Sequence, residues 1–544
     1  MNIGLDFGTT FSTAALFASD NKIETLKLFG DDLQPTYVYV DRSKNFFIGN
    51  AASAKYETNL KTKSDDGWLY KDIKRWVGVN KYNFNEYKTK LSSREYNVRL
   101  EDDFTVALSG LGSSEGPYVT VVDLIALFVR GISVAIENQY GENVVSLVCT
   151  VPADYNSYKR SFLLESSKLL DQEIIAVVNE PTAAALYSAL KLVSSNKAEH
   201  VAVYDFGGGT FDVSYLCLYG RSATVLDTAG DLFLGGRDID AAIAEKIFPQ
   251  IQGATAKDIL SQCSNVKLDC SSEKRFVDHS IWFKDDVHKV KFSYEDFLVV
   301  MEDFKIRSTK LLTQLLERNG LVDIGVNVVM VGGSSAIPLL RDAVATCRGV
   351  KRVVFDNNTF RIAVAVGAKV YSDSLVSNKG LVLVDTLSHA ILDEIVGLKA
   401  KVVVGKGQVV PSTAEINYGF SGGNMRIDVY EGEHPLAFMN EPTYTSSVLI
   451  EKAGTVPVRC ELRRDGSLVV SVFGKQIKNK FLPKGRLKPN EYNYSDPDVE
   501  YRNDGLMSYA TDVCKVLGST VTLSDTDPYN VCKKIDDLVD KNTS

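Results

Sequence analysis

Two short stretches nearly repeat one another: "DFGTTFS", from Asp6 to Ser12, and "DFGGGTFDVS", from Asp205 to Ser214. Each follows an apolar strand-like run and precedes another, "STAALF" and "VSYLCL". Gly8 and the run Gly207, Gly208, Gly209 permit positive φ angles and close backbone approach, so successive amides can converge on an anion. Thr9, Thr10 and Thr210 add hydroxyls at the same places. A carboxylate repels phosphate, so Asp6 and Asp205 fit such a turn only if a hydrated Mg²⁺ stands between; Mg²⁺ keeps several waters and is often held by one or two carboxylates and a nucleotide. One such turn alone is most often a hairpin. Two in similar strand contexts predict two similar lobes facing each other, with a nucleotide in the cleft.

Other phosphate motifs fail. The chain has no HRD with a downstream Asn and no GxGxxG, so the DFG of protein kinases does not apply. It has no GxxxxGK[ST] either. Further glycines fit the cleft better. "VGGSS" ends a strand with Gly332, Gly333 and Ser334, and "AGDLFLGGRDID" offers Gly230 and the pair Gly235-Gly236. Each alone reads equally well as a tight strand-to-helix turn.

Composition narrows the function. A net charge of -8 over 544 residues argues against wrapping nucleic acid, which needs a basic face. Eight cysteines stand singly with no CxxC pair, as expected of reduced thiols in a cytosolic protein. Five histidines without HExxH make no case for zinc. No signal peptide and no apolar stretch long enough to span a membrane is expected.

Strand-like and helix-like segments alternate through residues 1–377, which predicts an α/β architecture. "VVSLVCTVP", "VAVYDFGGG" and "VNVVMVGG" read as buried strands, and "PTAAALYSALKLV" as a helix with Pro181 in its first turn. An apolar linker falls within 378–387, with "LVLVD" at its centre. Residues 388–482 change to period two, including a hairpin expected at Asp465-Gly466. Residues 483–544 are polar and mixed, with helix-like pieces at "GLMSYATDVCKVL" and "VCKKIDDLVDK".

Taken in order, "GLDFGTTFS", "KRWVG", "VPADYN", "NEPTAAAL", "DFGGGTFDVS", "GGRDID", "VGGSSAIP" and "AVGAKV" resemble the nucleotide-binding domain of the heat-shock 70 chaperones, in the actin-like ATPase superfamily. "LVLVD", "VYEGE" and "DGSLVVSV" extend the resemblance into a substrate-binding β domain. "VPADYNSYKRSF", "GAKVYSDSL" and "VDTL" are more similar still to the heat-shock 70 homologues of closteroviruses, filamentous plant viruses. The implied fold is an α/β actin-like two-lobed ATPase domain, then a smaller β-sandwich and a short C-terminal segment as a reduced lid.

The resemblance implies ATP and Mg as cofactors, with Asp6 and Asp205 holding the hydrated metal. It implies Lys74 orienting the attacking water and Glu180 completing the metal–water network. Thr9, Thr10 and Thr210 would contact phosphates, beside Gly230, Lys267 and Ser271. The adenosine pocket departs from the family. Leu268 and Ala336 stand where chaperones carry arginines, Ser264 where they carry a glutamate, and Arg361 near an expected aspartate. Loss of both guanidinium platforms should weaken base stacking.

The viral resemblance further implies a chaperone-like motor for virion-tail assembly and cell-to-cell movement. Its partners would be coat proteins and other virion-tail proteins, host co-chaperones and the cytoskeleton. Its places would be the virion tail, the host cytoplasm and plasmodesmata. Two other readings stand beside it: a general cytosolic folding chaperone binding extended apolar peptides, and a sugar or glycerol kinase of the same superfamily, in which linker and β domain have no role.

Overall fold

The structure is a computed structural model and describes residues 1–19, 22–28, 30–91, 96–112, 114–192, 198–219, 222–272, 277–284, 286–377, 382–395 and 397–495. The two helix-like pieces expected in the tail, and Leu381 of the linker, lie outside the described residues. The chain is mixed α/β, with seven sheets among the described residues.

The sequence repeat is a repeat of topology. Strand Asn2–Asp6 pairs antiparallel with Phe11–Ser19 on one side and parallel with Ser146–Val151 on the other. Strand Glu199–Phe206 likewise pairs antiparallel with Phe211–Tyr219 and parallel with Val326–Val331. Both central strands are buried, and their parallel partners are apolar almost throughout, as strands covered on both faces are.

Two helices tie these sheets together. Glu180–Leu192, which closes the first half, packs on the second sheet, and Ala363–Ser377, which closes the second, packs on the first. They also pack on each other, and glycine sets how closely. A Cβ on Gly367 would fall 1.7 Å from the Ala183 carbonyl oxygen, and one on Gly4 2.2 Å from the Lys369 nitrogen. Neither contact leaves room for a side chain. Small residues (Ala183, Ala184, Ala185, Ala365, Ala368) fill this seam and leave almost no exposed surface there.

Beyond residue 382 the chain joins the second sheet before leaving it. Strand Val382–Thr386 pairs parallel with Ser222–Asp231, and the Thr386 hydroxyl donates to the Val225 carbonyl at 2.6 Å. Two four-stranded antiparallel sheets follow, packed over a core of Ile391, Ile427, Val429, Val458 and Val470. Strand Gly423–Gly432 shows why they form: Met425, Ile427 and Val429 turn inward at every second position. Gly466, at φ +81, makes the turn between Gly454–Leu462 and Leu468–Val472.

These sheets dock on helix Ser157–Ser167. The Glu431 carboxylate accepts the Ser157 amide at 3.1 Å, at the helix N-terminus where unpaired N–H groups favour an anion. Beside this contact lies a cavity of about 600 Å³, bounded by Ser161, Leu164 and Lys168 on one side and by Tyr444, Arg463 and Ile477 on the other.

From Phe481, just before the expected C-terminal segment, to residue 495 the chain runs as an extended strap. Phe481 is buried against Phe104 and Tyr158. The Arg486 and Leu487 amides donate to Asp123, and strand Asn493–Tyr494 pairs parallel with Asn45–Ile48. Polar residues without periodicity carry no signal for such a path, because its partners lie more than three hundred residues away in the chain.

Candidate functional site

The two glycine turns meet. A Cβ on Gly208 would fall 2.3 Å from Thr10 Oγ1, and one on Gly209 would fall 2.5 Å from Thr9 Cγ2. The turns are built differently. In the first, the Gly8 amide donates to Ser12 Oγ at 3.2 Å and the Thr36 hydroxyl donates to the Gly8 carbonyl at 2.7 Å. In the second, the Gly207 amide donates to the Thr210 carbonyl at 3.0 Å, and Ser334 Oγ donates to the Gly207 carbonyl at 3.0 Å. The helix Gly236–Ile247 starts against this turn: the Gly236 amide bonds the Gly207 carbonyl and the Arg237 amide the Gly208 carbonyl, at 3.0 and 2.8 Å.

Behind the turns lies a buried carboxylate cluster. Asp6 accepts from the Thr150 hydroxyl at 3.1 Å. Burial pushes its carboxyl up to about 7, helped by the Glu180 charge and opposed by Lys74. Asp205 is raised well above the usual carboxylate range, by burial first and then by Glu180 and Asp6. Asp212 is raised in the same way by burial, Asp154, Glu180 and Asp205. Lys74 Nζ meets Glu180 Oε1 at 2.5 Å, both side chains nearly enclosed. Acidic groups thus crowd where water is scarce and hold their protons, and an added cation would favour their ionised forms.

This donor set fits a hydrated divalent ion held with a polyphosphate. Among the described residues no three carboxylate, histidine or cysteine side chains converge as direct metal ligands, so a cation here would keep its water shell. Among the described residues the buried Thr10 Oγ1 has no hydrogen-bond partner, which leaves its hydroxyl open to a ligand. Gly332, at φ +85, lets the "VGGSS" strand end pass Asp205; a Cβ there would lie 2.4 Å from Asp205 Oδ1. Gly230 leaves room for Asp212 in the same manner, at 2.7 Å.

Other expected residues divide. Lys267 reaches the helix that starts against the second turn, donating to the Gly236 carbonyl at 3.0 Å and pairing with Asp240 at 2.8 Å. Gly333 opens the short turn Gly333–Ala336 with free space at its Cβ. Ser271 is not drawn to the turns by any side-chain contact; its hydroxyl donates back to the Leu268 carbonyl at 3.0 Å. Leu268 is 54% exposed, an apolar side chain open to solvent.

Asp212 is a site residue that pattern reading passed over. It stands inside the quoted second turn and pairs across the sheet with both Asp205 and Gly230. A buried aspartate in the middle of an otherwise apolar strand, "FDVSYL", was the available signal.

Paired glycine turns that meet over buried carboxylates are the arrangement expected of a nucleotide-handling class of protein. The family model described as "Hsp70 protein" matches residues 2–449, and this chain belongs to the Hsp70 family, whose members are ATPases that bind ATP, generally with Mg. Within it, the chain is 38% identical over 492 residues to "Movement protein Hsp70h" of Grapevine leafroll-associated virus 3, covering 89% of this chain and 87% of the relative. A protein of the same name from Beet yellows virus is 27% identical over 502 residues, covering 88% and 82%. A cellular relative, "Heat shock cognate HSP70 protein" of Trypanosoma brucei brucei, is 26% identical over 464 residues, covering 80% and 67%.

Proposed function

We propose that this chain is a viral Hsp70-type movement protein, an Mg-dependent ATPase that acts in cell-to-cell movement of a filamentous virus and in assembly of its virion tail. In this reading residues 1–377 are a two-lobed actin-like ATPase domain, 378–387 a linker, 388–482 a β-sandwich and 483–544 a reduced lid. The observation that carries it is the meeting of the two turns over the Asp6, Asp205 and Asp212 carboxylates.

The turn amides and the Thr9, Thr10 and Thr210 hydroxyls bind and align the phosphates. Lys74, steadied by Glu180, orients a water for in-line attack on the terminal phosphate. Gly332, Gly333, Ser334, Lys267 and Ser271 face the nucleoside side. When bound, Mg²⁺ supplies charge neutralisation on the phosphate oxygens. The chain's own contribution is positioning and exclusion of water, which needs no covalent intermediate.

Its partners would be coat and virion-tail proteins, with host co-chaperones and cytoskeleton, at the virion tail, host cytoplasm and plasmodesmata. Asp205→Asn and Asp6→Asn should each lower Mg-dependent turnover by at least ~100-fold while the thermal midpoint stays or rises; unchanged turnover in both would refute the site. A second reading, a general folding chaperone, is favoured by the exposed Leu398, Phe438 and Met439 on the β-sandwich. Co-purification with one end of filamentous particles separates the two.

A further inference from the structure

Lys74 sits in the short turn Ile73–Trp76, and Asp72, which caps that turn, and Arg75, which follows Lys74, both reach into the other half of the molecule. Asp72 is 1% exposed and holds the left-handed conformation, φ +59, that aspartate tolerates better than most residues. Its carboxylate pairs with the Arg237 guanidinium. Arg75 pairs with Asp238 at 3.3 Å and donates to the Leu232 carbonyl at 3.3 Å. Tyr96 donates to Asp72 Oδ2 at 3.3 Å and accepts from Trp76 Nε1 at 3.0 Å. Arg237 also donates to the Tyr37 hydroxyl at 2.9 Å. The network therefore runs from the Lys74 turn, through two ion pairs, to the start of helix Gly236–Ile247.

Arg237 occupies a special place in that chain. Its amide is bonded to the Gly208 carbonyl of the second glycine turn, and its side chain is bonded to the turn that carries Lys74. One residue thus spans the two parts whose separation sets where Lys74 stands over a bound phosphate. Removing either member of a buried pair leaves the other charge uncompensated, so the contact favours two states, made or broken, over a graded one.

We propose that Arg237 is a positioning residue: its pairing with Asp72 holds Lys74 at the second glycine turn, and breaking that pair is the step that opens the cleft for nucleotide release. The proposal rests on the ATPase reading above. It assigns the latch to side chains outside the carboxylate cluster and the phosphate-facing turns.

The test compares Arg237→Gln, Arg237→Lys, Asp72→Asn and the double variant Arg237→Gln/Asp72→Asn in the full chain. Release of a fluorescent ADP analogue is followed by stopped flow, and hydrolysis by single turnover at saturating ATP. Amide hydrogen exchange at residues 73–78 is followed in nucleotide-free protein, beside thermal melts. Arg237→Gln should speed release about 10-fold and slow the hydrolytic step about 10-fold, with faster exchange at 73–78. Asp72→Asn should do the same, the double variant should be no worse than either single, and Arg237→Lys should recover most of the wild-type rates. Wild-type release and exchange in a folded Arg237→Gln protein would overturn the proposal, as would additive effects in the double variant. If Arg237→Gln does not fold, Arg237→Lys and Asp72→Asn decide by the same measurements. Wild-type protein that bound no ATP would refute the ATPase reading, whereas the exchange of nucleotide-free protein reads the latch alone.

Discussion

The two glycine turns have one topology and two kinds of support. The first carries a single glycine and is held by hydroxyls: Ser12 and Thr36 bond each other at 2.8 Å and clamp Gly8 from both sides. The second carries three glycines and is held mostly by main chain, with Gly235, Gly236 and Arg237 pressed against it and the Ser334 hydroxyl as its side-chain bond. Side-chain clamps can be trimmed one bond at a time. A main-chain contact at van der Waals range has no slack, because the backbone cannot step aside without moving the helix attached to it.

That difference orders what substitution should do. Gly235→Ala should be the most damaging change, since its Cβ would lie 2.5 Å from the Gly209 backbone. ATP turnover is expected to fall by ~100-fold or more, with a lowered melting point; near-normal turnover would show that the second turn has slack after all.

The carboxylates beneath both turns come next. The Asp6 carboxyl is raised from 3.8 to about 7 in the folded protein, so folding is penalised once it ionises. The stability it contributes at low pH is lost as pH rises from about 4 through about 7, by on the order of a few kcal/mol. Asp205 and Asp212 shift in the same direction. Nucleotide-free protein is therefore expected to melt at higher temperature at pH 5.5 than at pH 8. Asp6→Asn should flatten the dependence, and Mg with ATP should remove most of it. A melting point that rises from pH 5.5 to pH 8 would contradict the cluster.

Thr36→Val tests the hydroxyl-built turn. It removes two hydrogen bonds at Gly8 and Ser12, so a loss of about 1–2 kcal/mol in stability and a several-fold weaker ATP affinity are expected by melt and calorimetric titration. Lys267→Ala should be mildest, about 1 kcal/mol. It loosens the Gly236 carbonyl and leaves Asp240 without its nearest cation, yet the main-chain bonds of the second turn remain. If Lys267→Ala proved worse than Thr36→Val, the second turn would depend on side chains as much as the first.

Much of the site could be read from local pattern. Two similar turns between apolar strands are legible as hairpins, because glycine conformations and strand alternation act over a few residues. The resemblance, not local pattern, singles out Lys74 and Glu180, and the two side chains meet at 2.5 Å. The apolar "LVLVD" segment reads as a linker, and its described part pairs into the second sheet. Ser271 shows what pattern leaves open: its hydroxyl donates to the Leu268 carbonyl on its own helix, a contact that motif register does not foretell.

What the sequence determined by itself is the pair of hairpins, their glycines and threonines, the α/β alternation and the change to period two beyond the linker. Each depends on steric and hydrophobic preferences of residues close in the chain. Only the tertiary structure decided which carboxylates lose water, that Arg237 crosses to Asp72, and that residues 481–495 strap back across Asp123 and strand Asn45–Ile48. These follow from desolvation and from contacts between segments a hundred or more residues apart, where charge and burial depend on what the rest of the chain places alongside.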